Sequence, residues 1–417
     1  MLYFVYTNFS RKVSSLPHWP NGIEIGDDEG ARRIGFSSEL SEKLSPTWFY
    51  ALNYSLANSI TTLSVNNINL PPDGKYIFPI EAPVTFTFWN DYLNTPLSIP
   101  QVVLEDIRKG RAKILFIRTW EADGFILDKR IEMMKAQARL LNIDLSKILY
   151  LDYNALTEQI LKKEGIQGIY YNNWQYSDYR VKEALAAGDS VVEDIKNKKL
   201  REKKFLCFNR NSKWHRAYTV NRILEKGLDK DGIVTFSTHA GGGQIQFNGP
   251  FAKMEALKQR IPMVYDIVND HYNIEPALPL NLKAHLTCYF NLVTESHYTT
   301  ENNTRMFFTE KTFKPISCRQ PFIMAGAYQQ LKVLRDLGYK TFGDFIDESY
   351  DDIQDDKERL NKVVDVVEYI CSLSNEALSE MLLQMLPILE HNYRLSIDST
   401  LNNAAGKMIE DKIYNNW

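Results

Sequence analysis

The stretch FFTEKTFKPISCRQPFIMAGA, residues 307–327, predicts a short helix that leads directly into a buried strand. We expect the helix at residues 312–317, after the triplet Thr309, Glu310 and Lys311, because an acid at a helix start is favoured by the helix dipole and the unpaired amide groups. The segment PFIMAG that follows is a short apolar run ending at a glycine, which is typical of a strand in a parallel sheet. Helix and strand in this order form the repeating unit of an α/β fold.

Glu310 and Lys311 place a carboxylate and an ammonium group side by side at this helix start. In a nucleotide-sugar site, an acid binds the ribose hydroxyls and a cation binds the phosphates, so the triplet predicts such a site. The alternative is a solvated pair of surface charges that needs no ligand. The triplet alone does not separate these two interpretations.

Strands and helices alternate on both sides of this stretch. In the first half we predict strands at 2–6, 113–117, 147–151 and 165–171, further strand candidates at 61–65 and 84–89, and helices at 100–110, 127–141 and 155–164. In the second half we predict strands at 205–208, 233–237, 288–293 and 321–325, and helices at 214–226, 329–336 and from 360 onward. Such alternation is typical of parallel sheets, so the predicted fold class is α/β, and two such domains facing each other would leave a cleft in which a ligand binds.

The run KNKKLREKK, residues 196–204, carries six basic residues in nine and is taken as the domain boundary. The predicted domains are residues 1–198 and 199–390, followed by a helical tail, 391–417. The sharper interpretation of the basic run is a groove for an anionic acceptor. Both interpretations stay open from the sequence.

The composition limits the class of protein. A chain of 417 residues suggests two domains, at roughly 150 residues each plus extensions. Hydrophobic residues make up 44% and charged residues 24%, as in a soluble globular protein. The net charge of −3 argues against nucleic-acid binding that is dominated by electrostatic attraction, although a local basic patch is compatible with it.

Four scattered cysteines, without any C-x-x-C pair, are typical of a reduced intracellular protein. The first residues, MLYFVYTNFSRK, have no basic lead before their apolar run and resemble a first strand more than a signal peptide. No apolar run approaches the roughly 20 residues that a membrane span needs. We therefore expect a cytoplasmic protein without a membrane span.

A second cluster of candidate residues lies in CFNRNSKWHRAYTV, residues 207–220. It contains Asn209, Arg210, Lys213, His215 and Arg216, and it follows a predicted strand and opens a predicted helix. Ligands of α/β sheets bind beyond the carboxyl ends of strands, where a helix start offers amide groups and arginines add bidentate contacts. The cluster therefore predicts anion binding, with a charged surface loop as the alternative.

Glu295 lies in NLVTES, residues 291–296, where another predicted strand ends. The polar loop between Glu295 and the triplet suggests an adaptable lip over a pocket, in which Glu295 is a second binding acid. The alternative is that either acid only caps backbone amide groups. We keep Glu295 among the candidate donor-binding residues.

Glu121 and Asp123 lie in RTWEADG, residues 118–124, directly after the predicted strand 113–117. Either carboxylate is a candidate general base, which has to lie within hydrogen-bond reach of an acceptor hydroxyl. The alternative is ordinary loop polarity.

Other catalytic motifs are absent from the sequence. The glycines at 241–243 lack the lysine and the spacing of a P-loop, and neither H-E-x-x-H nor G-x-S-x-G occurs. The acid pairs at 27–28 and 351–352 do not lie at clear strand ends, and the seven histidines show no ligand spacing. We therefore expect neither a metal site nor a serine hydrolase.

VTES, followed by FFTEKTFKPISCRQPFIMAG, resembles the donor-binding motif of the fucosyltransferase-like glycosyltransferases. The later segment GYKTFGDFIDESYDDIQDDKERL, residues 338–360, is similar to the continuation of this motif in phage and bacterial glycosyltransferases. The resemblance covers residues 205–360, and the first half only by its general pattern. After the lysine this chain has Thr-Phe-Lys at 312–314 where the family has leucine-tryptophan-aspartate, which leaves the donor sugar open.

The resemblance implies a glycosyltransferase of GT-B architecture, with two Rossmann-like domains facing a cleft and C-terminal helices that cross back to pack on the first domain. It implies that a nucleotide-sugar is the donor substrate and that neither a metal nor a cofactor is needed. It implies that Glu310 contacts the ribose and Lys311 the phosphates, and that Arg210 and Arg216 neutralise the diphosphate. It also places the catalytic base in the first, acceptor-side domain, where Glu121 is the first candidate, for an inverting displacement.

The acceptor and the class of protein stay open. An acceptor hydroxyl from a glycan or from a hydroxymethylated base of phage DNA is compatible with the sequence, and a phage-encoded chain would act in the host cytoplasm. For DNA, the run 196–204 is expected to line the groove, and the base has to be made accessible. The rival function is a non-catalytic nucleotide- or sugar-binding protein on the same scaffold, while a phage structural protein fits the α/β pattern poorly.

Overall fold

The structure is a computed structural model of the 417-residue chain. It describes residues 3–6, 61–64, 74–81, 93–97, 99–117, 127–172, 175, 178–209, 212–237, 247–263, 281–298, 306–401, 404–415 and 417. The chain divides into two compact units, the first formed by residues 1–173 with 403–417 and the second by residues 174–402.

Ten strands and the helices between them make up the described parts of both units. The strands are β1 (Tyr3–Tyr6), β2 (Thr61–Ser64), β3 (Tyr76–Glu81), β4 (Ala112–Ile117), β5 (Ile148–Asp152), β6 (Gln167–Tyr170), β7 (Lys203–Cys207), β8 (Gly232–Val234), β9 (Cys288–Thr294) and β10 (Phe322–Ala325). The helices are α1 (Gln101–Arg108), α2 (Leu127–Leu141), α3 (Thr157–Lys163), α4 (Asp178–Lys196), α5 (Trp214–Glu225), α6 (Glu255–Arg260), α7 (Leu282–Thr287), α8 (Glu310–Ser317), α9 (Gln330–Asp336), α10 (Asp356–Ser372), α11 (Asn375–Leu401) and α12 (Ala404–Tyr414).

The strands of the first unit form one parallel sheet in the order β2-β1-β3-β4-β5-β6. Every residue of β4 and β5 is buried, as expected where helices cover both faces of a parallel sheet. Helix α2 matches its predicted bounds and buries Leu127, Ile131, Met134, Ala138 and Leu141 in the core beside these strands. That spacing of three and four residues is the apolar stripe of an amphipathic helix.

Residues 403–417 belong to the first unit and contribute to its core. Ile409 and Ile413 of α12 are fully buried. The Gln167 side-chain amide donates to the Lys412 carbonyl oxygen at 2.6 Å. The Trp417 indole donates to the Gly110 carbonyl oxygen at 2.9 Å. The chain therefore returns to its first unit after residue 402.

The second unit has its own parallel sheet, in the order β10-β9-β7-β8. From β7 the chain passes to β8 on one side, and then to β9 and β10 on the other. The strand order therefore reverses between β7 and β9. In open parallel sheets, the crevice at the carboxyl ends of such a strand pair is the usual ligand site.

The prediction of an α/β fold with two parallel sheets is confirmed, whereas the first domain boundary is not at residue 198. Helix α4, which the sequence did not predict, packs in the second unit against α8 and α11. Val191 and Ile195 are buried there, and Gly188 lies so close to the end of α8 that a Cβ would come within 3.4 Å of Arg319 Nη1. The boundary lies at 173/174, because the apolar face of α4 is covered by the helices that follow it in the chain.

The basic run 196–204 lies within the second unit, and all six of its basic side chains have partners there. The pairs are Lys196 with Glu193, Lys198 with Glu380, Lys199 with Asp194, Arg201 with the Cys288 carbonyl, Lys203 with the Lys230 carbonyl and Lys204 with the Cys371 carbonyl. Three of the charges are thus matched by carboxylates at the surface. The structure favours a solvated connection over a groove for an anionic acceptor.

Across the described part of the chain, no helix combines the length and the apolar character of a membrane span.

We expect replacement of Ile413 by Ala to destabilise the first unit selectively. Loss of this fully buried side chain should lower the unfolding free energy of that unit by about 2–5 kcal/mol. Amide hydrogen exchange read by mass spectrometry measures this: protection in β3–β5 should fall while protection in β7–β10 stays unchanged. An equal change in Ile370→Ala, a control for the second unit, would contradict the assignment of α12 to the first unit.

Candidate functional site

Polar residues join the carboxyl ends of three neighbouring strands of the second sheet. Asn209 follows β7, and its side-chain oxygen accepts a hydrogen bond from the Thr294 hydroxyl at the end of β9 (2.6 Å). The backbone amide of Asn209 donates to the Thr235 hydroxyl just beyond β8 (3.1 Å). Asn209 is only 2% exposed, so it fixes the floor of the site at the point where the strand order reverses.

Glu295 follows β9, and its carboxylate is completely buried. One oxygen accepts from the Thr309 amide (3.0 Å) and from the Thr312 hydroxyl (2.5 Å). The other accepts from the Ser296 amide (3.0 Å) and from the Thr309 hydroxyl (2.7 Å). These four hydrogen bonds join the end of β9 to the start of α8, where the helix dipole also favours a negative charge.

Helix α8 begins at Glu310, two residues before its predicted start. Thr309 is the N-cap residue, and its hydroxyl accepts from the Lys311 amide at 3.4 Å. The predicted pair is a salt bridge: Lys311 Nζ lies 2.6 Å from Glu310 Oε1. The side chains are 23% and 12% exposed, respectively, so both charges reach solvent at the edge of the site.

Lys213 and Arg216, at the start of α5, reach the residues that follow β9. Lys213 Nζ donates to the Ser296 carbonyl oxygen (2.6 Å), and Arg216 Nη2 donates to the Glu295 carbonyl oxygen (3.2 Å). Lys311 Nζ lies 3.4 Å from the Ser296 hydroxyl. Three cationic side chains from two helices therefore converge on Glu295 and Ser296.

His215 supports the same segment as a neutral ring. Burial, with a smaller contribution from the neighbouring Arg216 charge, lowers the pKa of His215 to about 3. Because a carbonyl oxygen can only accept, Nε2 carries the hydrogen of the neutral ring and donates it to the Glu295 carbonyl oxygen at 2.8 Å. The ring stacks on Tyr298, with centroids 5.1 Å apart and an angle of 14° between the planes.

Arg359 of α10 holds Tyr298 in place. Its guanidinium carbon lies 4.5 Å from the Tyr298 ring centroid, and its Nη2 donates to the Tyr298 carbonyl oxygen at 3.1 Å. The Tyr298 hydroxyl donates to the Asp356 carbonyl oxygen at 2.8 Å. Arg359 is 1% exposed, and it donates further to the carbonyl oxygens of Gly326, Ile353 and Gln354.

The structure brings most of the predicted donor-binding residues together. Those that it describes are Asn209, Lys213, Arg216, Glu295, Thr309, Glu310 and Lys311. Arg210 and the two candidate bases, Glu121 and Asp123, lie outside the described residues. Lys213, Glu310 and Lys311 are partly accessible, whereas Asn209, Arg216, Glu295 and Thr309 are buried and bind groups of the chain itself.

Ser296, Tyr298, Thr312 and Arg359 also belong to the site, and the sequence did not single them out. Ser296 had a signal, since it directly follows Glu295 at the strand end. Arg359 had none, because it lies 61 residues from Tyr298 within an ordinary charged helix start.

The described site is suited to an anion. Lys213, Arg216 and Lys311 bring three positive charges, against the carboxylates of Glu295 and Glu310. The Glu295 carboxylate is surrounded by neutral donors and is shielded from solvent. Among the described residues, no group of three or more His, Cys, Asp or Glu side chains is arranged to hold a metal ion.

Neither the family models, the curated proteins nor the solved structures compared with this chain gave a match. The chemistry of the site is therefore the basis for assigning a function.

We expect the stability of the second unit to fall as the pH drops below about 6.5. Burial lowers the pKa of His215 to about 3 and that of His285 to about 4, whereas both groups titrate near 6.5 in the unfolded chain. Between these values the unfolded state binds more protons, so unfolding becomes easier on acidification, by up to about 1.4 kcal/mol per pH unit for each histidine.

Urea unfolding at pH 7.5, 6.0 and 5.0 measures this dependence. His285→Gln should remove part of the slope between pH 6.5 and 5.0, because the glutamine does not titrate. An identical slope in the wild type and in this variant would contradict the prediction for His285.

Proposed function

We propose that this chain is a glycosyltransferase that moves a sugar from a nucleotide-sugar donor to an acceptor hydroxyl. The observation that carries the proposal is the convergence of Lys213, Arg216 and Lys311 at the point where the strand order of the second sheet reverses. That place in a parallel sheet is where nucleotides usually bind, and the charges fit a diphosphate. The finer assignment to the GT-B architecture belongs to this proposal and is supported by the two separate parallel sheets.

In this proposal, the two residues of the Glu310–Lys311 pair have separate tasks. The Lys311 ammonium group, partly accessible, turns to the diphosphate, and the Glu310 carboxylate accepts hydrogen bonds from the ribose hydroxyls. Lys213 lies at the start of α5, where helix amide groups also favour an anion. Fixed positive charge of this kind stabilises the leaving nucleotide diphosphate, which is the role that a metal ion has in other transferases.

The reaction step follows from the donor chemistry. A carboxylate of the first unit, Glu121 or Asp123, takes the proton of the acceptor hydroxyl. The acceptor oxygen then attacks the anomeric carbon, and the bond from that carbon to the diphosphate oxygen breaks with inversion. The electron pair leaves with the nucleotide diphosphate, whose charge is met by Lys213, Arg216 and Lys311.

For the acceptor, we favour a glycan or another small hydroxyl compound over a hydroxymethylated base of phage DNA. The net charge of the chain is −3, and the surface lysines of the basic run 196–204 are paired with carboxylates. Binding of a DNA backbone depends on positive charge that releases counterions, and the neighbouring carboxylates reduce the net positive charge of this run.

A non-catalytic nucleotide- or sugar-binding protein is the second candidate. It is favoured by the observation that the partly accessible groups of the described site, Lys213, Glu310 and Lys311, are suited to hold a nucleotide. Such a protein keeps the cationic cluster and has no turnover.

We expect Lys311→Ala to weaken binding of the cognate nucleoside diphosphate about 10- to 100-fold, as expected for loss of a charged hydrogen bond. A thermal-shift screen with UDP, GDP, CDP and ADP, with and without magnesium, first identifies the nucleotide. Saturating ligand should stabilise the protein by about 3–4 kcal/mol at 100 to 1,000 times its dissociation constant. Calorimetric titration then compares the wild type with Lys311→Ala.

Lys332→Ala is the matched control, because Lys332 is an exposed lysine of the same unit that forms a salt bridge with the surface residue Asp336. Its nucleotide affinity should equal that of the wild type. The assignment of the donor site would be wrong if none of the four nucleotides stabilised the protein, or if Lys311→Ala and Lys332→Ala bound the nucleotide equally well.

We expect Glu121→Ala to abolish transfer while the dissociation constant of the nucleoside diphosphate stays within about twofold, since a base acts on the acceptor and not on the donor. Release of nucleoside diphosphate from the donor, followed with a panel of glycan acceptors, measures turnover. If Glu121→Ala kept full activity, the assignment of Glu121 as the base would be wrong and Asp123 would be the candidate base. Absence of turnover in the wild type would favour the non-catalytic binding protein.

A further inference from the structure

Residues 295–298, here the Glu295–Tyr298 loop, hold every cationic side chain of the described site. The Glu295 carbonyl oxygen accepts from Arg216 and from His215, and the Ser296 carbonyl oxygen accepts from Lys213. The Ser296 hydroxyl lies 3.4 Å from Lys311 Nζ. The position of this loop therefore sets the spacing between the three positive charges.

The Glu295 carboxylate determines where this loop lies. Each of its oxygens accepts from one backbone amide and one hydroxyl group, and the residue has no exposed surface. A carboxylate filled in this way has no surface left for a ligand. Its contacts lead from the end of β9 to the start of α8, so it acts on a ligand only through the groups that it holds.

We infer that Glu295 is a positioning residue for the diphosphate of the donor, and not one of its binding residues. It fixes the Glu295–Tyr298 loop against α8, and the loop in turn orients Lys213, Arg216 and Lys311. This inference rests on the proposed function for the identity of the ligand. The positioning itself is a property of the protein alone and is measurable without a ligand.

Asp351 provides a matched control, because it is a second buried carboxylate at a helix start of the same unit. It is 4% exposed and accepts from the amides of Leu331 and Lys332, both at 2.9 Å. Its nearest cation is Arg335, at 3.7 Å, which is not part of the site. Loss of Asp351 therefore removes a comparable helix contact without disturbing the three cationic side chains.

Glu295→Gln is the informative substitution. Whichever way the new amide group is turned, its NH2 faces the backbone amide of either Thr309 or Ser296, and two donors repel each other. The loop has to move away from α8. Thr312→Val removes a single donor from the same carboxylate and serves as the milder variant if Glu295→Gln fails to fold.

The first measurement is the dissociation constant of inorganic pyrophosphate by calorimetric titration. We expect pyrophosphate binding to weaken about tenfold or more in Glu295→Gln and to a smaller extent in Thr312→Val. Asp351→Asn should keep the wild-type affinity even if its thermal stability falls as much as that of Glu295→Gln. Glu295→Asp, which keeps the charge and both acceptor oxygens, should recover part of the affinity. Equal losses in Glu295→Gln and Asp351→Asn would overturn the inference, because they would reflect general destabilisation.

The second measurement is independent of any ligand. Trace acetylation followed by mass spectrometry reports how firmly each lysine is held. In the Glu295→Gln variant, Lys311 and Lys213 should be acetylated several-fold faster than in the wild type, with exposed Lys332 as the internal reference. Unchanged rates at both lysines would overturn the positioning role. Glu295→Gln could show faster labelling while the wild type binds neither pyrophosphate nor a nucleoside diphosphate. That result would support the positioning role and contradict the proposed function instead.

Discussion

The buried carboxylate of Glu295 is the constraint on which the arrangement of the second unit's site depends. Removing a charged carboxylate from water costs several kcal/mol, and this cost is offset only where donors surround the group. Here the donors come from residues 1, 14 and 17 positions further along the chain. Because all four have to be in place together, the end of β9 and the start of α8 have one relative position.

The parallel sheet decides which other residues can share this place. In the order β10-β9-β7-β8, the segments after β7 and β9 leave the sheet side by side, although they are about 85 residues apart. Asn209 and Thr294 join these two ends directly. The start of α5 is thereby brought against the loop after β9, and Lys213 and Arg216 donate to carbonyl oxygens of that loop.

Buried neutral and charged groups have different tasks around the site. His215 stays uncharged because burial disfavours its protonated form, and a neutral ring can stack on Tyr298 and donate to a carbonyl oxygen. The buried guanidinium of Arg359 donates to carbonyl oxygens and forms a salt bridge with the carboxylate of Asp356. The charges that reach solvent, at Lys213, Glu310 and Lys311, are the ones accessible to a ligand.

The sequence by itself determined most of the local structure. Short apolar runs such as 113–117 are typical of buried strands, and the apolar stripe of α2 has the period of a helix, so the alternation of strands and helices was predictable. The end of α5 was predictable as well, because Gly227, two residues after Glu225, has a positive φ of 65°, which favours glycine. Strand β3 was missed, since it contains Pro79, which lacks an amide hydrogen and argues against a central strand. Helix α4 was missed, and Gly188 in its interior is a residue that argues against a helix in the sequence.

The identity of the candidate site residues was also visible in the sequence, because charged residues that follow apolar strands stand out locally. Only the tertiary structure decided what each of them does. Glu295 and Glu310 look alike in sequence, yet one is fully buried among four donors and the other stays partly accessible beside Lys311. Burial and hydrogen bonding depend on segments that are distant in the chain, such as Lys213 and Ser296, 83 residues apart, and no local pattern encodes such a meeting.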